Sequence, residues 1–393
     1  MDRLGTIRRR DAEIDFSDLA RRFSAATQFN AGIKSPRIAV IGDFCLDKYL
    51  YLFPSLNEVS VETGLVARQV RATRLYAGVG GTIANNLRAL GAETFCFGVV
   101  GEDGEGFDLV NALRKIGADV EGVVASNEVL TPTYMKPMSP AESPTGVPID
   151  SPAPERGEWI ESERIDIRGT RPAPAKAVEE VERRFLERVD SFDAAIVSDQ
   201  FQPGSETLFS ASFRQFICDC AEARPDKFFL CDSRFFVDSY RNVMVKCNAN
   251  ELLDARDVAT SGERRRETNL ERDAEGDLPG LASIAADFAE RNGRPILVTR
   301  GAHGSLCVGY DEPTRTYEAV VVPANPVSPP IDVCGAGDAT NAGLAFARSL
   351  GFSIVESSYL AGVASSITIR QIGTTGVATT REILDVLLRN AAR

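Results

Sequence analysis

Six short apolar runs constrain this chain most: Arg37-Ile-Ala-Val-Ile-Gly42, Thr94-Phe-Cys-Phe-Gly-Val-Val100, Ala194-Ala-Ile-Val-Ser198, Lys227-Phe-Phe-Leu-Cys231, Val243-Met-Val-Lys246 and Pro295-Ile-Leu-Val-Thr299. Continuous apolar runs of this length read as strands buried on both faces of a parallel sheet. Amphipathic stretches at 81–90, 108–116, 177–189, 205–223 and 281–292 separate several of them. Strands alternating with helices predict an α/β fold, with a mainly parallel sheet between helical layers. Two regions break the alternation. Extended, half-polar segments at 64–74, 133–138 and 164–168 predict a small β flap drawn from about 48–76 and 130–170. The connection 139–154 is too rich in proline for a sheet interior. Segment 260–277 is densely charged and reads as a solvated loop or exposed helix. Residues 1–35, polar apart from one helix around 18–28, are expected to be an N-terminal extension to a domain covering 36–393.

Charge and rare residues narrow the function. Forty-four Lys and Arg against 56 Asp and Glu leave a net charge of −12, which argues against a nucleic-acid partner held through its phosphates. The single histidine, His303, excludes a zinc site with several imidazole ligands. It also leaves one residue on which any serine or cysteine hydrolase would have to be built. The eight cysteines form no Cys-x-x-Cys pair and lie mostly in apolar runs, as small buried hydrophobes do in a reducing compartment. Charge fills the N-terminus where a signal peptide needs an apolar stretch, and no run approaches the ~18 apolar residues of a membrane helix. A cytoplasmic protein without a membrane partner is expected.

The chemistry concentrates in Asp332-Val-Cys-Gly-Ala-Gly-Asp338, followed by small and apolar residues at helical spacing. Gly335, Ala336 and Gly337 let the backbone curl so that successive amides face one point, and a helix N-terminus behind them completes an anion hole. Asp338 at its mouth could accept a proton from an attacking hydroxyl. Taken alone, it could equally cap the helix.

This segment resembles the C-terminal signature of the ribokinase-like (PfkB) carbohydrate kinases, with Cys334 where a threonine is usual. Four further segments resemble that family in the same order. They are Gly42-Asp-Phe-Cys-Leu-Asp47, Ala77-Gly-Val-Gly-Gly-Thr-Ile-Ala-Asn-Asn-Leu-Arg-Ala-Leu-Gly91, Lys246-Cys-Asn-Ala-Asn-Glu251 and Thr299-Arg-Gly-Ala-His-Gly304. The resemblance spans roughly 36–390 and implies a ribokinase-like three-layer α/β/α fold with a β lid over the substrate, and ATP and Mg2+ as cosubstrate and cofactor. It further implies Asp338 as general base, with Gly335, Ala336 and Gly337 as the anion hole. Asp43, Asp47, Gly80, Gly81, Asn85 and Asp199 fall to the substrate; Thr299, Gly301 and Gly304 to the nucleotide; Asn248 and Glu251 to nucleotide and water-bound magnesium. Asp332 is implied as a possible ligand of a monovalent cation such as K+, and pairing of lids implies a homodimer. Read as residues alone, several of these keep a plain alternative: Asp43 and Asp47 as turn aspartates, Asn248 and Glu251 as loop and helix-start residues, Gly80, Gly81 and Asn85 as turn and cap residues, Cys334 as a packing residue.

Among subfamilies the chain most resembles the heptose-phosphate kinases, through Val197-Ser-Asp-Gln200, Cys231-Asp-Ser-Arg234 and Arg370-Gln-Ile-Gly-Thr374. It departs from them in Ser55–Thr63, where they carry a proline-rich substrate loop. The resulting expectation is a phosphotransferase acting on a sugar or sugar-phosphate hydroxyl. The alternatives are a kinase for a nucleoside or other alcohol, and a catalytically silent sugar-binding regulator.

Overall fold

The computed structural model describes residues 7–29, 32–140, 159–202, 204–205, 207–261, 277–373 and 375–392; most of the 139–154 connection and of segment 260–277 lies outside these. The described chain opens with β1 (Arg8–Asp11), α1 (Phe16–Ala26) and β2 (Arg37–Gly42). β3 (Phe44–Leu52), β4 (Glu58–Val59), β5 (Val66–Ala67) and β6 (Val70–Val79) precede α2 (Gly80–Ala89). Next come β7 (Glu93–Gly101), α3 (Gly104–Lys115), β8 (Asp119–Ser126), β9 (Thr133–Pro140), β10 (Trp159–Glu161), β11 (Ile165–Ile167) and α4 (Ala175–Leu186). β12 (Ala194–Asp199), α5 (Ala211–Glu222), β13 (Phe228–Ser233), β14 (Met244–Asn248), α6 (Ala249–Ser261), α7 (Leu278–Asn292) and β15 (Ile296–Thr299) follow. β16 (Ser305–Asp311), β17 (Thr316–Val322), α8 (Ala336–Ser349), α9 (Ile354–Thr368) and α10 (Thr380–Ala391) complete the chain.

All six apolar runs are strands of one ten-stranded sheet, ordered β1-β17-β16-β15-β14-β13-β12-β2-β7-β8. Its pairings are parallel except at β16, which is antiparallel to both neighbours. Side chains alternate across the sheet as the two-residue period requires. From β2, Ile38 and Val40 enter a core shared with α1, α2, α3, α8, α9 and α10, while Ala39 and Ile41 enter one shared with α4, α5, α6 and α7. Helices cover both faces, and the α/β class expected from the alternation stands.

The N-terminal segment is built into these layers rather than standing apart as an extension. β1 adds a parallel edge strand to β17, and α1 buries Leu19, Ala20 and Phe23 in the core. A part-buried Arg22 ion pair to Glu356 of α9 supplements that apolar stripe.

A second sheet rises from the first at β2, whose chain passes straight into β3. Its order is β10-β9-β3-β6, with β11 also on β9. Tyr51 and Phe53 clasp Trp159 edge-on and tilted at 5.0 and 5.7 Å. β6 then delivers the chain into α2, so the second sheet is joined to the body at both ends of β3–β6. No described helix is long and apolar enough to cross a membrane.

Candidate active site

The order of the main sheet reverses between β12 and β2: β12, β13, β14 and β15 run outward on one side, β2, β7 and β8 on the other. Open α/β sheets bind ligands beyond the carboxyl ends of strands at such a point. Gly42, Asp199, Ser233, Asn248 and Thr299 end five adjacent parallel strands there.

α8 enters this crevice. Gly335 precedes its first turn at φ 77, a left-handed conformation that costs glycine little and other residues strain. No side chain caps the helix. The Ala336 amide donates to the Val333 carbonyl at 3.1 Å and is therefore spent inside the turn, contrary to its expected place in the hole. Among the described residues the amides of Gly335, Gly337 and Asp338 have no acceptor, so they form the open donor set.

Beneath them lies a charge cluster. Lys246, buried in β14, donates to Asp232 at 2.8 Å, and Asn341 of α8 donates to the same oxygen at 2.6 Å. A Cβ added at Gly337 would stand 3.2 Å from Lys246 Nζ, so glycine lets the turn sit against the ammonium. Burial pushes the Asp338 carboxyl up to about 7, Asp232 adds to the rise, and Lys246 and Arg234 oppose it. Glu251 is likewise pushed up to about 7 by burial and Asp232, against Lys246. Burial alone would favour a neutral Lys246, but Asp232, Glu251 and Asp338 outweigh it and hold the ammonium charged.

Asp47 lies on β3 and pairs with Lys136 of β9 at 3.0 Å, both side chains 14% exposed. Lys136 also donates to the Tyr49 hydroxyl at 3.2 Å. The pair reaches the cluster, since Asp47 adds to the rise in the Asp338 carboxyl.

On the far side, Asn248 and Thr299 are register partners of β14 and β15. Asn248 and Glu251 cap the start of α6 reciprocally: each backbone amide donates to the other's side chain, at 2.7 and 2.8 Å. Glu251 keeps its second carboxylate oxygen for a ligand, and Asn248 the remaining lone pair of its one carboxamide oxygen. The Thr299 hydroxyl donates to the Cys247 carbonyl, and Gly301–His303 forms a short turn that ends at Gly304, with His303 exposed. Asp332 accepts from the Cys334 and Gly373 amides at 3.0 and 2.9 Å, so it ties the α8 entry to the loop after α9. Cys334 is exposed, not packed as its plain reading had it.

Two carboxylates expected at the substrate are turned inward. Asp43 is 3% exposed and accepts from the amides of Gln200 and Phe201 and the Thr207 hydroxyl, pinning the loop after β12. Asp199 has no exposed surface and accepts from Arg214, Ser233 and Tyr240 at 2.8–2.9 Å. Its partners satisfy it, and it braces the crevice from behind. Asp199→Asn strands the Arg214 charge; it is expected to cost on the order of 3–5 kcal/mol in urea unfolding, with KM for acceptor unchanged in the folded enzyme. Gly80 and Gly81 also have internal reasons. A Cβ there would meet the Phe44 ring at 2.9 Å and the Ala77 methyl at 2.3 Å, so tight packing of α2 against β3 and β6 accounts for both. Asn85 is half-buried one turn further on, away from the capping positions it was considered for.

The structure thus gathers Asp338, Gly335, Gly337, Asn248, Glu251, Asp47 and Thr299 around one crevice. Sequence reasoning passed over Lys136, Asp232, Arg234 and Lys246. A lysine between the buried Val245 and Cys247 was the available signal, because a buried charge requires a partner.

Residues 239–381 match the pfkB family carbohydrate kinase. Curated relatives carrying the name Bifunctional protein HldE include that of Sulfurimonas denitrificans, 23% identical with 88% of this chain and 63% of the relative covered. That of Azorhizobium caulinodans is 28% identical, with 91% and 65% covered. The chain spans less than two thirds of the length of these relatives. Among solved structures, Escherichia coli phosphofructokinase-2 in complex with potassium superposes with a TM-score of 0.64 at 15% identity, covering 91% of this chain and all of that one. Arabidopsis thaliana ribokinase complexed with ribose and ATP gives 0.60 at 17% identity, covering 90% and 99%. The fold is ribokinase-like.

Proposed function

From a ribokinase-like scaffold whose residues 239–381 match the pfkB carbohydrate kinases, we propose an ATP-dependent phosphotransferase acting on a hydroxyl of a sugar or sugar phosphate. A heptose phosphate leads the candidates because of the resemblance to heptose-phosphate kinases and the HldE relatives. One observation carries the reading: a carboxyl raised to about 7 opens onto unspent amides, with a buried lysine behind them.

In this reading Asp338 takes the proton of the acceptor hydroxyl as its oxygen attacks the γ-phosphorus of ATP. The bond from that phosphorus to the β–γ bridging oxygen breaks, and ADP leaves. Amides of Gly335, Gly337 and Asp338 meet the charge spread over the moving phosphoryl oxygens, at no reorganisation cost because the turn is preformed. Asp47 accepts from an acceptor hydroxyl while Lys136 holds it in place. Thr299, Gly301 and Gly304 shape the nucleotide side. The neighbouring carboxyl cluster suits hydrated magnesium. Asp232, Glu251 and Asp338 crowd three carboxyls against two cations, and the rise in two of them signals room for more positive charge. Bound through water by Asn248 and Glu251, magnesium would neutralise charge on the phosphates. The tie made by Asp332 leaves lone pairs for K+ but does not require it.

The test is release of ADP across a panel of heptose phosphates, hexoses, hexose phosphates and nucleosides, with Asp338→Asn as the control. Turnover of nucleosides alone, or of nothing, overturns the reading.

The separate two-stranded β4–β5 hairpin carries exposed Val59, Val61, Leu65 and Val66, and β10 of the second sheet carries exposed Ile160. An apolar patch of this kind marks an interface, and it supports a homodimer through the lid. The native protein is expected at twice its chain mass in light scattering, and Val61→Asp with Val66→Asp at the single mass; an unchanged mass in the double variant sinks the lid interface.

A further inference from the structure

Two adjoining cavities, of about 160 and 490 Å³, lie between α9 and α10. They share Ile367, Arg370, Val386 and Arg389 as walls, and neither is lined by Asp338, Asn248, Glu251 or the 301–304 turn. Together they have the size of a small-molecule site. The inner one has room for roughly five waters and no carboxylate among its described lining residues. Two guanidiniums line it: Arg370 lies just past α9, and Arg389 lies in the last turn of α10. Among the described residues neither has a hydrogen-bond or ion-pair partner. One arginine at a helix end answers the negative pole of its own helix. Two from different helices at one chamber leave donor forks for something else. The carboxamide of Asn325 is spent on Ser366 and Asn390, and that of Asn390 donates on to Tyr359, so the arginines are the chamber's free donors. In the outer cavity Ile367, Val377 and Val386 supply apolar surface. Glu382 there is occupied in capping Thr379, and Asp385 is exposed.

One wall belongs to the loop that steadies the α8 entry. Gln371 closes this loop, donating to the Val377 carbonyl at 2.7 Å and accepting from its amide at 3.3 Å. The Gly373 amide donates to Asp332 at 2.9 Å, and the Asp332 amide donates to the Ile369 carbonyl at 2.8 Å. Thr375 packs against Gly335, 3.3 Å from where a Cβ would stand.

We infer that this groove is an effector site for a small organic monocarboxylate, whose binding steadies loop 371–377 and, through Asp332, the turn at Gly335. The carboxylate lies between the two guanidiniums, which pair with its oxygens, and a short apolar body lies on Ile367, Val377 and Val386. A single negative charge is preferred. The carbonyl poles of α9 and α10 oppose a second one inside, and Asp385 opposes it at the outer end. The site goes beyond the phosphotransferase reading; only an effect on turnover would depend on that reading.

The test is calorimetric titration of isovalerate, leucine, succinate and inorganic phosphate into wild type, Arg370→Ala and Arg389→Ala, both residues being exposed. Isovalerate or leucine should bind most tightly, and each substitution should weaken that binding about 10-fold or more. Tighter binding of succinate or phosphate, binding indifferent to both arginines, or no binding of any probe overturns the site. Coupling is read on Cys334, the one exposed cysteine, whose amide donates to Asp332 at 3.0 Å. The saturating ligand should slow its alkylation by N-ethylmaleimide about fivefold in wild type and leave it unchanged in Arg389→Ala. An unchanged rate in wild type overturns the coupling. Neither readout uses ATP, so arginine-dependent binding with slowed alkylation and no ADP release keeps the effector site and removes the kinase.

Discussion

Asp338→Asn lowers kcat by about 10²–10⁴-fold, the span general-base catalysis supplies. The amide has the same shape and still sits against Gly337 and Lys246, so the donor set survives and KM for ATP is kept. What is lost is the group that receives the proton. The pH profile makes the assignment sharper. Burial and Asp232 lift this carboxyl to about 7, and it serves as a base only when ionised. Wild-type kcat/KM therefore climbs about tenfold per pH unit below about 7 and levels above it. The asparagine variant keeps its residual rate flat through that window. A coupled ADP assay from pH 5.5 to about 9 reads both. A variant within tenfold of wild type, or one that retains the limb near 7, takes the base role from Asp338.

Much of this scaffold was readable because its causes are local. A strand buried on both faces needs an unbroken apolar run, and the six runs became six strands of one sheet. The glycine turn was readable for the same reason: Gly335 at φ 77 is a backbone demand written in one residue. Reading failed where the cause was distant. Asp43 and Asp199 end strands just as a ligand-binding carboxylate would, and the sequence carries no mark of Thr207 or Arg214 waiting 164 and 15 residues away. Ala336 failed for a local reason instead: it looked like an anion-hole donor until the Val333 carbonyl, three residues earlier, claimed its amide. The N-terminal segment looked polar because only one stripe of α1, at Leu19, Ala20 and Phe23, faces the core.

Lys246 gives the second large expected effect, and it separates support of the fold from support of the chemistry. Three charged groups face it: Asp232 on β13, Glu251 on α6 and Asp338 on α8. Lys246→Met strands Asp232 in the interior, and removing one partner of a buried pair costs on the order of 3–5 kcal/mol. It also withdraws a cation that lowers the Asp338 carboxyl, so the activity limb moves above 7. The double variant with Asp232→Asn removes the stranded charge and should recover most of the stability in urea unfolding. Because Asp232 raises the Asp338 carboxyl while Lys246 lowers it, the limb should return toward 7 as well. Turnover is the discriminating measurement. If the ammonium beneath Gly337 stabilises charge gathering at the amide hole, kcat in the double variant stays depressed by about 10²-fold or more, the order seen when one preorganised donor is removed. Recovery of kcat along with stability shows Lys246 to be only the counterion of Asp232, leaving the transferred phosphoryl to the amides alone.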